Sequence, residues 1–195
     1  IIEATPKERQ LVLFSATMHQ EVLTIAWKYQ NDPVEITVEA TKEDRPQIAQ
    51  YVIATEQPKK IDNLLYLLDA DVYQRIMIFC NTKFMTDRLT SKLKKEGYSA
   101  ECLHGDIPQS KRNVVMSDFR KGKFSILVAT DVAARGIDVT GIDVVFNYDL
   151  PSDEEYYVHR IGRTGRAGSS GVSYSFVFGR DHYRLRNIQR YTKSK

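Results

Sequence analysis

The sequence predicts an α/β protein built on a doubly wound parallel sheet with helices on both faces. Two observations carry this. Apolar, β-rich runs such as IMIFC (Ile76 to Cys80) and SILVA (Ser125 to Ala129) are near-continuous, as strands covered on both sides are. They are separated by segments whose apolar residues recur at helical spacing, the alternation that a parallel sheet requires. With 195 residues, 42% of them hydrophobic, the chain has enough apolar material for a real core.

The elements are justified in order. LVLFSAT (Leu11 to Thr17) reads as a strand, and Gln20 to Tyr29 as a helix with Val22, Ile25, Ala26 and Tyr29 on its apolar stripe. Pro33 then precedes a second strand, VEITV. The charged stretch EATKEDRP, Glu39 to Pro46, has no apolar period and ends in a proline, so residues 39–47 are expected to be a linker between a piece at 1–38 and a domain at 48–195. A helix over Lys59 to Asp69 leads into IMIFC. A second helix, Thr82 to Glu96, stacks Met85, Leu89 and Leu93 and stops at Gly97. A short strand at Ala100 to Leu103 comes next, and Pro108 opens a helix that ends near Gly122 and is followed by SILVA. The strand VVFNY (Val144 to Tyr148) precedes a helix that Ser152 can cap, with Glu155 completing a capping box. A last strand, Gly171 to Phe178, leads to a basic helix from Asp181.

Composition narrows the partners. Residues 1–46 carry five basic and eight acidic side chains, residues 47–195 carry 23 and 17, so the larger piece favours a polyanion if either does. No apolar run approaches membrane-spanning length and the first ten residues hold no secretory leader, so no membrane partner is expected. Cys80 and Cys102 are expected to be two buried thiols of a reducing compartment, the cytoplasm, rather than a disulfide framework.

Ligands of this fold class gather at the carboxyl ends of strands. HRIGRTGR, His159 to Arg166, spaces Arg160, Arg163 and Arg166 by three among glycines, in a stretch free of acidic residues from Tyr156 to Arg180. Planar forks at this spacing suit phosphate oxygens; a solvated basic loop is the alternative. ATDVAARGID, Ala129 to Asp138, offers the Thr130 hydroxyl, the carboxylates of Asp131 and Asp138, and a turn at Gly136. Asp138 suits ribose hydroxyls, whereas Asp131 could equally cap a helix and pair with Arg135. HGDIPQSKR, His104 to Arg112, sets Gly105, Gln109 and Arg112 around a helix start, an anion site in form, with His104 either a strand-end residue or a base. There is no G-x-x-x-x-G-K-[ST] loop, and no Cys/His set has zinc spacing, so no metal site is expected from this chain's own residues. Arginines aimed at phosphate without a P-loop imply half of a site.

FSATM (Phe14 to Met18), IFCNTK (Ile78 to Lys83), HGDIPQSKR, ATDVAARGID, FNYDLP (Phe146 to Pro151) and HRIGRTGRAG occur in the order seen in DEAD-box RNA helicases of superfamily 2, and the chain most resembles bacterial members. The resemblance implies a RecA-like fold, with 1–38 the tail of the first RecA-like domain and 48–195 the second. It implies that Arg163 and Arg166 act as arginine fingers on an ATP γ-phosphate, that Asp138 with Gly136 serves the ATP site, and that Thr82, Gly105, Gln109, Arg112 and Thr130 hold the RNA sugar-phosphate backbone without regard to sequence. His159, Ser15 and Thr17 resemble residues that couple the RNA and ATP sites. His19 departs from a proline common in the family. The family's Q motif, P-loop and D-E-A-D box, which bind adenine, phosphates and Mg²⁺, would lie ahead of residue 1. On this reading the chain is a fragment, inactive without the missing N-terminal RecA-like domain. Two rivals stand beside it: an RNA-binding or annealing module that uses no nucleotide, and a DNA-directed superfamily 2 enzyme, against which the HRIGRTGR form of the arginine block argues.

Overall fold

A computed structural model describes residues 2–15, 18, 20–37, 47–70, 72–134, 139, 141–165, 170–179 and 181–194. Contacts divide the chain into two units, Ile1–Asp44 and Arg45–Lys195. The expected linker at 39–47 lies, apart from Gln47, outside the described residues.

Among the described residues of the smaller unit one α-helix forms, α1 (Gln20–Tyr29), where the apolar stripe places it. Residues 11–15 and 34–37 form no strand, contrary to their β-rich composition. A strand is held by its neighbours' ladder, and the described part of this unit offers none; Phe14, Val34 and Ile36 consequently stand more than four-fifths exposed.

The larger unit follows the predicted alternation: β1 (Ile48–Ala54), α2 (Lys60–Ala70), β2 (Ile76–Phe79), α3 (Lys83–Lys95), β3 (Ala100–Leu103), α4 (Gln109–Arg120), β4 (Ile126–Ala129), α5 (Asp131–Ala134), β5 (Val144–Asn147), α6 (Glu154–Ile161), β6 (Gly171–Val177) and α7 (Asp181–Thr192). The strands form one six-stranded sheet in the order β1-β6-β5-β2-β4-β3, parallel at every ladder. Successive residues of a strand face opposite sides, and both sides are covered. Met77, Phe79, Leu127 and Val145 pack with Val115 and Phe119 of α4 on one face, while Ile76, Ile78, Val128 and Phe146 pack with Leu64 of α2 and Leu89 and Leu93 of α3 on the other. This two-sided burial is why the strand sequences read as unbroken apolar runs.

Helix ends follow local chemistry. Thr82 caps α3 by accepting from the Met85 amide, and Gly97, at φ +90°, ends the turn beyond it. Pro108 precedes α4 and Gly122, at φ +70°, follows it. Three expectations are corrected. Asp153, not Ser152, caps α6, its carboxylate accepting from the Glu155 amide, so Glu155 sits at the second helical position and cannot close a capping box. Strand β1 was not foreseen: it is an edge strand with a mostly exposed surface, held by its backbone ladder to β6 rather than by an apolar face. Cys80 is buried but Cys102 only half so, since the edge position of β3 leaves its thiol partly open; both are free thiols.

Candidate functional site

Parallel strands direct all their carboxyl ends to one edge of the sheet, and the order β5-β2-β4-β3 makes the loops after Asn147, Phe79, Ala129 and Leu103 neighbours. Every quoted motif loop of the larger unit starts from this edge or from the helix α6 behind it.

A buried arginine ties three of these loops together. Arg160, on α6 and only 1% exposed, donates through Nε to Asp131 Oδ1 (2.6 Å) and through Nη2 to Asp131 Oδ2 (2.7 Å) and Asn81 Oδ1 (2.9 Å). Its Nη1 donates to the Asp149 carbonyl (2.6 Å), and its guanidinium lies 5.0 Å from the Phe79 ring centroid. A second buried cation, Lys60 of α2, donates to Asp149 Oδ1 (2.7 Å) and sits 4.3 Å from the Tyr148 ring centroid. The remaining oxygen of Asp149 accepts from the Asn81 amide, and Asn81 Nδ2 donates to the Leu150 carbonyl. Each buried charge is thus matched by a carboxylate and by further hydrogen bonds, the condition under which burial of ions is tolerated. Burial, with the Asp149 charge adding to it, pushes the Cys80 thiol far above its ordinary value, so this cysteine is inert.

One reading changes here. Arg160 does not present its fork alongside Arg163; it faces inward because it shares the buried side of α6 with Tyr157 and Ile161. Asp131 accepts from Arg160 at both its oxygens, and Arg135, the partner the spacing offered, lies outside the described residues.

The remaining candidates are placed as follows. Arg163 lies past the end of α6, half-buried, with Nε donating to the His159 carbonyl (3.2 Å). Arg163, His159, Arg160, Asp131, Tyr156 and Phe79 line one cavity of about 20 Å³, room for a water and far too small for a nucleotide. Below it, Thr164 Oγ1 donates to the Ile142 carbonyl (2.5 Å), and a Cβ built on Gly171 would come within 2.6 Å of the Gly165 amide nitrogen. Only glycine at 171 lets the segment that carries Arg163 lie against β6.

On the edge side, Gly105 is exposed, with open space where a Cβ would be, so packing does not demand a glycine there. Gln109 starts α4 and donates to Asn113; Arg112 Nη2 donates to the Ala133 carbonyl (3.2 Å), joining α4 to α5. Thr130 is half-buried, its amide bonded to the Leu103 carbonyl. Thr82 is exposed, and Lys83 beside it pairs with Asp106 (2.7 Å), whose carboxyl that ammonium holds below its usual range. Ser15 is exposed in the smaller unit. Thr17, His19, Gly136, Asp138 and Arg166 lie outside the described residues. His104 is a buried strand-end residue, its Nε2 3.0 Å from Asp87 Oδ1. Sequence reasoning missed Lys60, Asn81 and Asp149 as a unit. Asn81 and Asp149 stood inside quoted motifs, but Lys60 carried no local signal.

Comparison with known proteins adds the context. A family profile described as helicase conserved C-terminal domain matches residues 59–168. The chain is 46% identical over its whole length to the DEAD-box ATP-dependent RNA helicase CshA of Geobacillus kaustophilus, of which it spans 42%. Among solved structures it resembles the E. coli DEAD-box protein SrmB bound to the regulator of ribonuclease activity A (36% identity, TM-score 0.70, 75% of this chain and 86% of that one). It also resembles S. cerevisiae Dbp5 bound to RNA and ADP BeF3 (38% identity, TM-score 0.81, 95% of this chain and 50% of that one). The chain therefore spans about two fifths of the curated relatives it matches and about half of the longer solved ones.

Proposed function

Since this chain belongs to the helicase conserved C-terminal domain family, and within it to the DEAD-box type, we propose that it serves as the second RecA-like half of an ATP-dependent RNA helicase. In that role residues 1–38 are the tail of the first RecA-like domain, 39–47 the linker and 48–195 the second domain. The chain supplies arginines and half of an RNA groove, and works only with an N-terminal RecA-like domain that holds the nucleotide. The observation that carries the proposal is the Arg160 clamp. It ties the helix that ends just before Arg163 to the loops carrying Thr82 and Thr130, which supports a reading in which phosphate-directed and RNA-directed groups act together.

Family membership implies dependence on ATP and Mg²⁺. Among the described residues the one cluster of potential ligands contains a cysteine, which this hard cation disfavours. Nor does the cavity at Arg163 admit a nucleotide. What the chain offers is Arg163, with Arg166 beyond it, as forks that neutralise charge on a phosphate held elsewhere; their contribution is positioning and electrostatics. Gly136 and Asp138 would bind the ribose side of ATP, and His159, Ser15 and Thr17 would couple the two sites. Thr82, Gly105, Gln109, Arg112 and Thr130 would contact RNA phosphates and sugars, giving binding largely independent of sequence. No helix among the described residues is long and apolar enough to cross a membrane, and two free thiols suit the cytoplasm.

The test is made in the two-domain protein. Arg163→Lys and Arg166→Lys should each lower RNA-stimulated ATP hydrolysis by a factor on the order of 10³ while nucleotide-free RNA affinity and Tm stay near the parent values. Hydrolysis at the parent rate in both variants overturns the arginine-finger role. RNA binding by this chain that is indifferent to ATP and to the N-terminal domain would favour a stand-alone module, and equal binding of DNA would favour a DNA-directed enzyme.

A further inference from the structure

Cys102 and His104 lie two residues apart at the end of edge strand β3 and therefore face the same side, the side on which Ala100 packs with Leu89 and Leu93 of α3. Asp87, on the first turns of α3, meets them there. Its Oδ1 accepts from Cys102 Sγ at 3.4 Å and lies 3.0 Å from His104 Nε2, and the three ligand atoms lie within 4.8 Å of one another. We propose that Asp87, Cys102 and His104 form a binding site for a thiophilic divalent cation of the zinc class. The site stands on these residues alone and does not depend on the helicase reading.

The geometry is close to that of a bound ion. A tetrahedral zinc with bonds of about 2.0–2.3 Å separates its ligand atoms by about 3.3–3.6 Å, so Asp87 Oδ1 already stands at the right distance from Cys102 Sγ and needs to move only a few tenths of an ångström from His104 Nε2, while all three atoms lie within 4.8 Å of one another. The donor set is one sulfur, one imidazole nitrogen and one carboxylate oxygen. A thiolate and a carboxylate neutralise a divalent charge, and the sulfur selects zinc-like ions over Mg²⁺ and Ca²⁺. Asp87 is exposed and Cys102 half-exposed, leaving a path for the ion and room for water as fourth ligand. Binding displaces the protons that Asp87 Oδ1 now accepts from the thiol and the ring.

The same structure fixes the grade of affinity. His104 Nδ1 is buried without a hydrogen-bond partner. When Nε2 ligates the ion the ring proton moves to Nδ1, where no acceptor waits, and the absence of such a partner lowers metal affinity by roughly 10–100-fold. The site is therefore an exchangeable one. Its occupant ties α3 to the edge strand and fixes the start of the 104–108 loop.

The experiment titrates the reduced, chelator-treated chain with Co²⁺, then displaces it with Zn²⁺, with Mg²⁺ in a parallel sample. The expected result is one equivalent of Co²⁺ with a near-ultraviolet thiolate-to-cobalt band, loss of that band on adding Zn²⁺, and a rise in Tm of about 5–10 °C at a hundredfold excess of Zn²⁺ over its Kd. Cys102→Ser should abolish the band and Asp87→Asn should weaken Co²⁺ binding at least tenfold. If Cys102→Ser does not fold, as read by circular dichroism, Asp87→Asn, an exposed helix position, carries the test. The proposal is overturned if no thiolate band appears, if the band survives in Cys102→Ser, if Asp87→Asn binds Co²⁺ as tightly as the parent, or if Mg²⁺ stabilises the chain as well as Zn²⁺ does.

Discussion

The ends of the inner strands and the end of the edge strand are built from the same kinds of residue to opposite effect. After β2, β4 and β5, the cations Arg160 and Lys60 are sunk beneath the surface and matched by the partly exposed carboxylates of Asp131 and Asp149. After β3, Gly105, Asp106 and Gln109 stand open to solvent, and the Lys83–Asp106 pair beside them is exposed. The inner edge is a frame whose polar groups are occupied with one another. The outer edge keeps its polar groups available for something else. A charged residue in a motif loop is therefore not evidence of ligand contact until its burial is known: Arg160 is 1% exposed inside α6, whereas Arg163, three residues on, is half-buried past the helix end.

Breaking the frame should have the largest consequence. Arg160→Ala strips the Asp131 carboxylate of its partner and the Asp149 carbonyl of a donor, and should lower the unfolding free energy by about 3 kcal/mol in urea titrations, the lower range for breaking a buried ion pair because Asp131 keeps some access to water. A loss below 1 kcal/mol would erase the distinction drawn above. Next comes Gly171→Ala, where the new methyl meets Thr164 and the Gly165 amide; overpacking of about 1–3 kcal/mol is expected, and in the two-domain protein a fall in kcat should accompany it because the Arg163 segment is displaced. Arg112 stands on the boundary, half-buried with one bond to the Ala133 carbonyl. Arg112→Ala should cost only about 0.5–1.5 kcal/mol of stability, and a much larger loss in RNA affinity than in stability would sharpen its assignment to the open edge. At the far end of the scale, Lys83→Ala should leave the urea midpoint at pH 7 unchanged within error. The sign of the pH effect is fixed by Asp106, whose carboxyl Lys83 holds down in the folded chain. Whatever the pair contributes is present above the unfolded carboxylate value and lost as pH falls through the lower folded one, so parent and variant should coincide in acid.

Much of the architecture was legible because two-sided burial writes itself into composition. Ile76 to Phe79, Ile126 to Ala129 and Val144 to Asn147 are wholly buried, and nothing but apolar residues or a satisfied asparagine can occupy such strands. Strand β1 escaped because its exposed faces tolerate Gln50, Tyr51 and Val52 alike, leaving no period to read. The fates of Arg160 and Arg163 were hidden by an equal spacing that ignores where a helix ends, although Arg160 does fall between Tyr157 and Ile161 on the inner stripe of α6. The pairing of Cys102 with His104 is visible as two positions on one strand face. Asp87 is not, because only the packing of α3 on β3 brings it there.

The first strand of the sheet pairs along its whole length with the last, Ile48 against Gly171 through Ala54 against Val177. During synthesis β1 leaves the ribosome and must wait for roughly 120 further residues before its ladder can form, about 6–25 s at ordinary rates of elongation. For that interval a seven-residue strand edge is unpaired, and the seam that closes the sheet is also its most distant contact along the chain. The seam between β1 and β6 is thus the last of the sheet to close, and the pace of translation between the two strands sets how long that edge stays open.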